Sequence, residues 1–166
     1  KSRHFADSVK SETRFFGFDS FEGFGDVNES DKHSFYTDEN FSTNLANVEK
    51  RIGRISKDVQ YKLIPGFFKN SLKNGPKSYS IHKSKIIFID SDTYSSASEA
   101  LLFCSKTIQE GTFIILDDYY SYKGSRNKGV ARAFFELIQQ NELDVRKVFT
   151  YGMGGAIFVV SDIQKT

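Results

Sequence analysis

The chain has 166 residues, 39% of them hydrophobic and 27% charged, with a formal net charge of +2. That is long enough for one domain with a real core, too apolar for disorder, and too weakly basic for a nucleic-acid partner. One cysteine excludes a disulfide framework within the chain, and no apolar run approaches the ~20 residues of a membrane span.

Residues 1–10 read as the end of a helix, with Phe5 and Val9 on one face. They contain no signal-peptide core, so a cytoplasmic protein is expected. "RFFGFDSFEG" is a short buried strand ending near Asp19, and residues 24–41 form a polar, turn-rich, lid-like loop. A helix follows from Ser42 or Thr43, with Leu45, Val48, Ile52 and Ile55 on one face. The basic residues between Lys50 and Lys62 alternate with apolar and acidic ones, as on a solvated helix face.

"VQYKLIPGFF" is the next strand, punctuated by Pro65 and Gly66, and a loop at "KNGPKS" leads to the strand "KIIFID". A helix capped by Ser95 or Ser96 is expected to run to Gly111, with Cys104 a buried, inert thiol within it. Then come the strand "TFIILDD", the helix "NKGVARAFFELIQQN", and a hairpin of "VRKVFTYG" and "GAIFVVSD" turning at Gly152–Gly155. The 17 phenylalanines, without a tryptophan, predict an aromatic-rich core. Strand and helix alternate until the hairpin, so the class is α/β: one domain, a mostly parallel sheet and an antiparallel edge.

In such sheets ligands sit outside the carboxyl ends of the strands. Asp19, Asp90 and Asp117 each close an apolar strand. Asp90 and Asp92 project to one side if the strand continues that far. Asp118 doubles the carboxylate at the next strand's end. A cluster of this kind repels itself unless a cation or shared protons neutralise it, and oxygen ligands suit Mg²⁺, Mn²⁺ or Ca²⁺. The bland alternative is that these aspartates only cap helices or start turns.

"GFDSFEG", "GFFKNSL", "IDSDTYSS", "LDDY" and the closing "GGAIFVV", in that order, resemble class I S-adenosylmethionine-dependent methyltransferases. Among these the pattern is most similar to the macrocin O-methyltransferase family of metal-dependent sugar O-methyltransferases. The resemblance implies a Rossmann-like fold, S-adenosylmethionine as donor, and an acceptor hydroxyl on a sugar or other diol-bearing small molecule. It further implies Asp19 on the donor's ribose with Ser20 and Phe21 beside it, Gly66, Phe67 and Phe68 at the adenine, and Ser42 as a further donor contact. Asp90, Asp117 and Asp118 would bind the metal, and Asp92 would be the general base.

The sequence departs from that pattern at its start. No strand and glycine-rich loop precede the segment ending at Asp19, so an N-terminally truncated domain is expected. In the family's sheet the missing strand lies between those ending at Asp19 and Asp90, and exposed edges there predict a homo-oligomer. A lesser departure is the single Gly111 where the family commonly has a glycine pair. Two other readings stay open: a nucleotide-sugar glycosyltransferase holding Mn²⁺ on its D-x-D pair, and an inactive α/β remnant. An aspartate-nucleophile phosphatase would need D-x-D-T on an early strand and a lysine motif that this chain lacks.

Overall fold

The computed structural model describes residues 12–25, 29–31, 41–56 and 59–164. The helix expected over residues 1–10 lies outside the described residues, as does most of the 24–41 loop. The chain divides into two compact units, residues 1–27 with 32–71 and residues 28–31 with 72–166.

In the first unit β1 (Arg14–Asp19) and β2 (Gln60–Pro65) run parallel, from Arg14 opposite Gln60 to Asp19 opposite Pro65. Pro65 has no N–H to continue a ladder, and Gly66 turns the chain with φ of +123°. The Gly66 N–H then donates to the Asp19 carbonyl at 2.9 Å, which ties the two strand ends together.

Helix α1 (Leu45–Ile55) follows the predicted apolar face, with Leu45, Val48 and Ile52 half-buried, but Ile55 is 80% exposed. Its N-cap is Asn44, whose side chain accepts the Asn47 N–H at 3.2 Å, rather than Ser42 or Thr43. Ser42 is instead extended and bridges Glu22. A short helix, α2 (Phe68–Ser71), closes the unit, with the Ser71 hydroxyl near the Gly66 and Phe67 carbonyls.

The second unit holds a four-stranded sheet. Strands β3 (Ile86–Ile89) and β4 (Phe113–Leu116) are parallel. The hairpin of β5 (Leu143–Tyr151) and β6 (Gly155–Ile163) places β6 antiparallel between β4 and β5. Strand alternation buries Ile87, Ile89, Ile114 and Leu116 on one face. Helices α3 (Tyr94–Ser105) and α4 (Gly129–Gln140) add Leu101, Phe134 and Leu137 to the core. Each such side chain contributes about 1.5–3 kcal/mol when fully buried. Alternate residues on the same strands, Ile86, Phe88 and Phe113, remain exposed.

Helix α3 begins two or three residues earlier than expected, because Thr93 rather than Ser95 or Ser96 is its N-cap. It also ends at Ser105, not at Gly111. Both the N–H and the hydroxyl of buried Thr107 donate to the Cys104 carbonyl, and this closes the helix. Gly111, at φ of +82°, serves the turn into β4 instead. Burial pushes the Cys104 thiol up to about 12, so it stays protonated and unreactive. The α/β class, parallel pairs and antiparallel hairpin are as the sequence predicts. Among the described residues no ladder joins the two sheets.

Candidate functional site

The last rung of the β3–β4 ladder pairs Ile89 with Leu116, so both strands stop level and Asp90 and Asp117 leave side by side. The Asp117 N–H donates to the Ile89 carbonyl at 3.0 Å and fixes that exit. Asp90, Asp117 and Asp118 each offer an oxygen, and these lie within 4.8 Å of one another. Unit charges ~4 Å apart repel by about 4 kcal/mol at an effective dielectric of ~20. A cation or a shared proton relieves such repulsion, and water reaches the exposed Asp90.

Asp118 makes the same point through hydrogen bonding. Its Oδ1 accepts the Ser121 hydroxyl at 3.2 Å, while its buried Oδ2 has no hydrogen-bond partner among the described residues. Burial is the main cause that raises its pKa, opposed by Ser121, reinforced by Asp117, and opposed again by the Asp92 backbone. A buried polar atom without a partner costs about 1–3 kcal/mol, and more when charged. A hard divalent cation fits this all-oxygen set, satisfying the orphaned oxygen and the charge together.

Asp92 joins the cluster by a route that strand alternation does not give. β3 ends at Ile89, and Asp92 has a left-handed backbone with φ of +56°. Its carboxyl is raised to about 7, first by burial and then by Asp118, Asp90 and Asp117. It is not the helix cap, since Thr93 accepts the Ser96 N–H at 3.3 Å.

A second carboxylate completes that helix start. Asp31, 2% exposed, accepts the Tyr94 N–H at 3.2 Å and the Ser95 N–H at 3.1 Å. Its charge also suits the helix N-terminus. Sequence reasoning left Asp31 inside the 24–41 loop, since nothing local marks a partner more than 60 residues away. Tyr94 in turn donates to Glu136 at 2.7 Å, and Arg132 pairs with Glu136 at 2.9 Å, tying α3 to α4. The Tyr94 hydroxyl, then Arg132, hold the Glu136 carboxyl below its usual value.

A cleft of about 350 Å³ lies beside the carboxylates, lined by Asp117, Asp118, Tyr120, Tyr151 and the Gly152–Gly155 turn. Tyr151 donates to Asp117 Oδ1 at 2.7 Å. Burial, reinforced by Asp117, raises the phenol above its ordinary range, so it remains a donor. Sequence reading placed Tyr151 in the hairpin and gave it no role; its bond reaches across 34 positions.

The other predicted set lies in the first unit. Asp19 is exposed at the end of β1, and its Oδ1 accepts the Phe21 N–H at 2.6 Å. The Ser20 hydroxyl donates to the Gly23 carbonyl at 2.6 Å and accepts the Glu22 N–H at 3.1 Å, so it shapes the loop. Phe21 sits at φ of +60°. Ser42 reaches this loop through its bridge to Glu22, and Gly66 through its bond to the Asp19 carbonyl. Phe67 and Phe68 follow directly, both half-buried.

Comparison with known proteins bears on this arrangement. The chain is 26% identical over 110 residues to mycinamicin III 3''-O-methyltransferase of Micromonospora griseorubida, covering 61% of this chain and 42% of that protein. It is 34% identical over 62 residues to 8-demethyl-8-(2,3-dimethoxy-alpha-L-rhamnosyl)-tetracenomycin-C 4'-O-methyltransferase of Streptomyces olivaceus, covering 37% of this chain and 22% of that one. The chain thus spans less than half the length of these curated relatives. The solved O-methyltransferase NovP shares its fold, with a TM-score of 0.71 at 21% identity over 89% of this chain and 60% of that one. Residues 5–148 match the sequence profile described as Macrocin-O-methyltransferase (TylF), and the chain belongs to that family.

Proposed function

We propose that the protein is an S-adenosylmethionine-dependent, divalent-metal-dependent O-methyltransferase acting on a hydroxyl of a sugar or other diol-bearing small molecule. The observation that carries this reading is the cluster of Asp90, Asp117 and Asp118, with the orphaned Asp118 Oδ2 among them, in a chain of this family. Mg²⁺, or Mn²⁺ or Ca²⁺, would supply Lewis acidity that makes an acceptor hydroxyl easier to ionise at neutral pH.

The chain's own residues do the rest. Asp90, Asp117 and Asp118 would hold the cation, Asp90 and Asp117 from positions fixed by the ends of β3 and β4. Asp92 removes the proton from the acceptor hydroxyl, so that an oxygen lone pair attacks the sulfonium methyl in line. The proton ends on the Asp92 carboxylate, and the donor leaves as the neutral thioether. In the first unit Asp19 Oδ2 accepts from the ribose hydroxyls. Phe21, Phe67 and Phe68 supply apolar contact for the adenosine, on a loop framed by Ser20, Ser42 and Gly66.

Self-association is part of the proposal: β3 is the end strand of its sheet among the described residues, and an edge strand invites pairing between copies. Sedimentation showing only monomer would remove that element.

Two measurements test the reaction. Calorimetry should detect S-adenosylhomocysteine binding; no such binding, together with glycosyl transfer from a nucleotide-diphosphate sugar, favours glycosyl transfer and sinks the methyltransferase reading. Methyl transfer from S-adenosylmethionine to a panel of glycosides should stop in EDTA and return with Mg²⁺. Transfer indifferent to EDTA would remove the metal.

A further inference from the structure

We infer that Tyr151 is a positioning residue for the metal ligand Asp117, and that Gly155 is glycine so that Tyr151 can reach it. The inference rests on the metal reading given above. Its geometry comes from strand register. β6 lies between β4 and β5, and Tyr151 of β5 pairs with Gly155 of β6. Leu116 of β4 pairs with Ala156, so one residue further on Asp117 falls level with Gly155. Tyr151, Gly155 and Asp117 thus form one row across three strands.

Adjacent strands are about 4.8 Å apart, so Tyr151 must pass over β6 to meet a side chain on β4. It does so, donating to Asp117 Oδ1 at 2.7 Å. The passage exists because Gly155 has no side chain: a Cβ there would run into the Tyr151 ring. The neighbouring turn is held to the same place, since the Tyr120 N–H donates to the Gly154 carbonyl at 2.9 Å. A Cβ on Gly154 would also press on the Asp117 carbonyl at 3.3 Å.

The consequence for the site is orientation. A carboxylate at a strand end has free rotation about its Cα–Cβ and Cβ–Cγ bonds. The phenol fixes one oxygen and so aims the group toward Asp90 and Asp118, as outer hydrogen bonds do for metal ligands generally. The hairpin thus joins the metal centre although it contributes no ligand of its own.

The test is Mn²⁺ binding to the full chain, followed by electron paramagnetic resonance well below the melting temperature. Tyr151→Phe keeps the ring and removes only the hydroxyl, and should weaken Mn²⁺ binding about 10- to 100-fold. Gly155→Ala should weaken it in the same direction by displacing the ring. The double variant should be little worse than either, because both remove one hydrogen bond. Wild-type affinity in Tyr151→Phe, with binding abolished in Asp117→Asn, would overturn the inference and leave the metal site standing. A lowered metal-free melting temperature with unchanged Mn²⁺ affinity would also overturn it, reducing Tyr151 to a packing role. Absence of Mn²⁺ binding by the wild type would remove the metal reading and this inference with it.

Discussion

Asp19 and Asp118 each stand where an apolar strand gives way to a loop, in different units of the chain. Asp19 is exposed, and its own loop supplies an N–H to Oδ1 at 2.6 Å. Asp118 has one oxygen on Ser121 and the other buried with no partner among the described residues. Around Asp19 the loop is closed by its own backbone and the Ser20 hydroxyl. Around Asp118 further carboxylates crowd in instead. A strand-end aspartate becomes a candidate cation ligand when water is withheld from one of its oxygens and charge is added, and the sequence pattern of the two is much the same.

The largest expected effect breaks the cluster at its base. Asp92→Asn should lower methyl transfer by about 10²- to 10⁴-fold while Mn²⁺ still binds. Activity close to wild type would remove Asp92 from proton transfer. Next, saturating Mg²⁺ should raise the melting temperature; a ligand at 100 times its Kd stabilises by about 2.7 kcal/mol. Asp90→Asn and Asp117→Asn should erase that rise, and Asp19→Asn should keep it. If all three variants respond alike, the contrast between the two regions is void.

Asp19→Asn should instead weaken S-adenosylhomocysteine binding. A hydrogen bond to a charged group contributes about 1.5–3 kcal/mol, so calorimetry should read a loss of about 10-fold or more. An unchanged Kd would leave Asp19 with only its loop.

A separate effect concerns pH in metal-free protein. The folded Asp92 carboxyl is raised from 3.8 to about 7, so the folded state binds its proton more tightly than the unfolded state does. Its contribution to stability is fully present below the unfolded value and is lost as pH rises through about 7. In EDTA the melting temperature should therefore fall between about pH 4 and pH 7, and Asp92→Asn should flatten that slope. An equal slope in both proteins would assign the effect to other groups.

What the sequence by itself determined are the features that local patterning controls. β1, β2, β3 and β4 end within a residue or two of the aspartate or proline that predicted their ends, because apolar runs stop where polar or N–H-deficient residues begin. The closing hairpin followed from the same patterning, whereas Asp90, Asp117 and Asp118 meet because β3 and β4 are neighbours, which only the sheet decides. Tertiary structure alone decided which groups complete those ends. Asp31 caps α3, Tyr151 holds Asp117, and Asp92 departs from strand alternation through a left-handed backbone. Thr93 rather than Ser95 starts the helix because Asp31 takes the N–H groups of Tyr94 and Ser95 from far along the chain. Periodicity reports which face of an element is buried. A hydrogen bond between distant positions depends on strand order and register, which the fold as a whole sets.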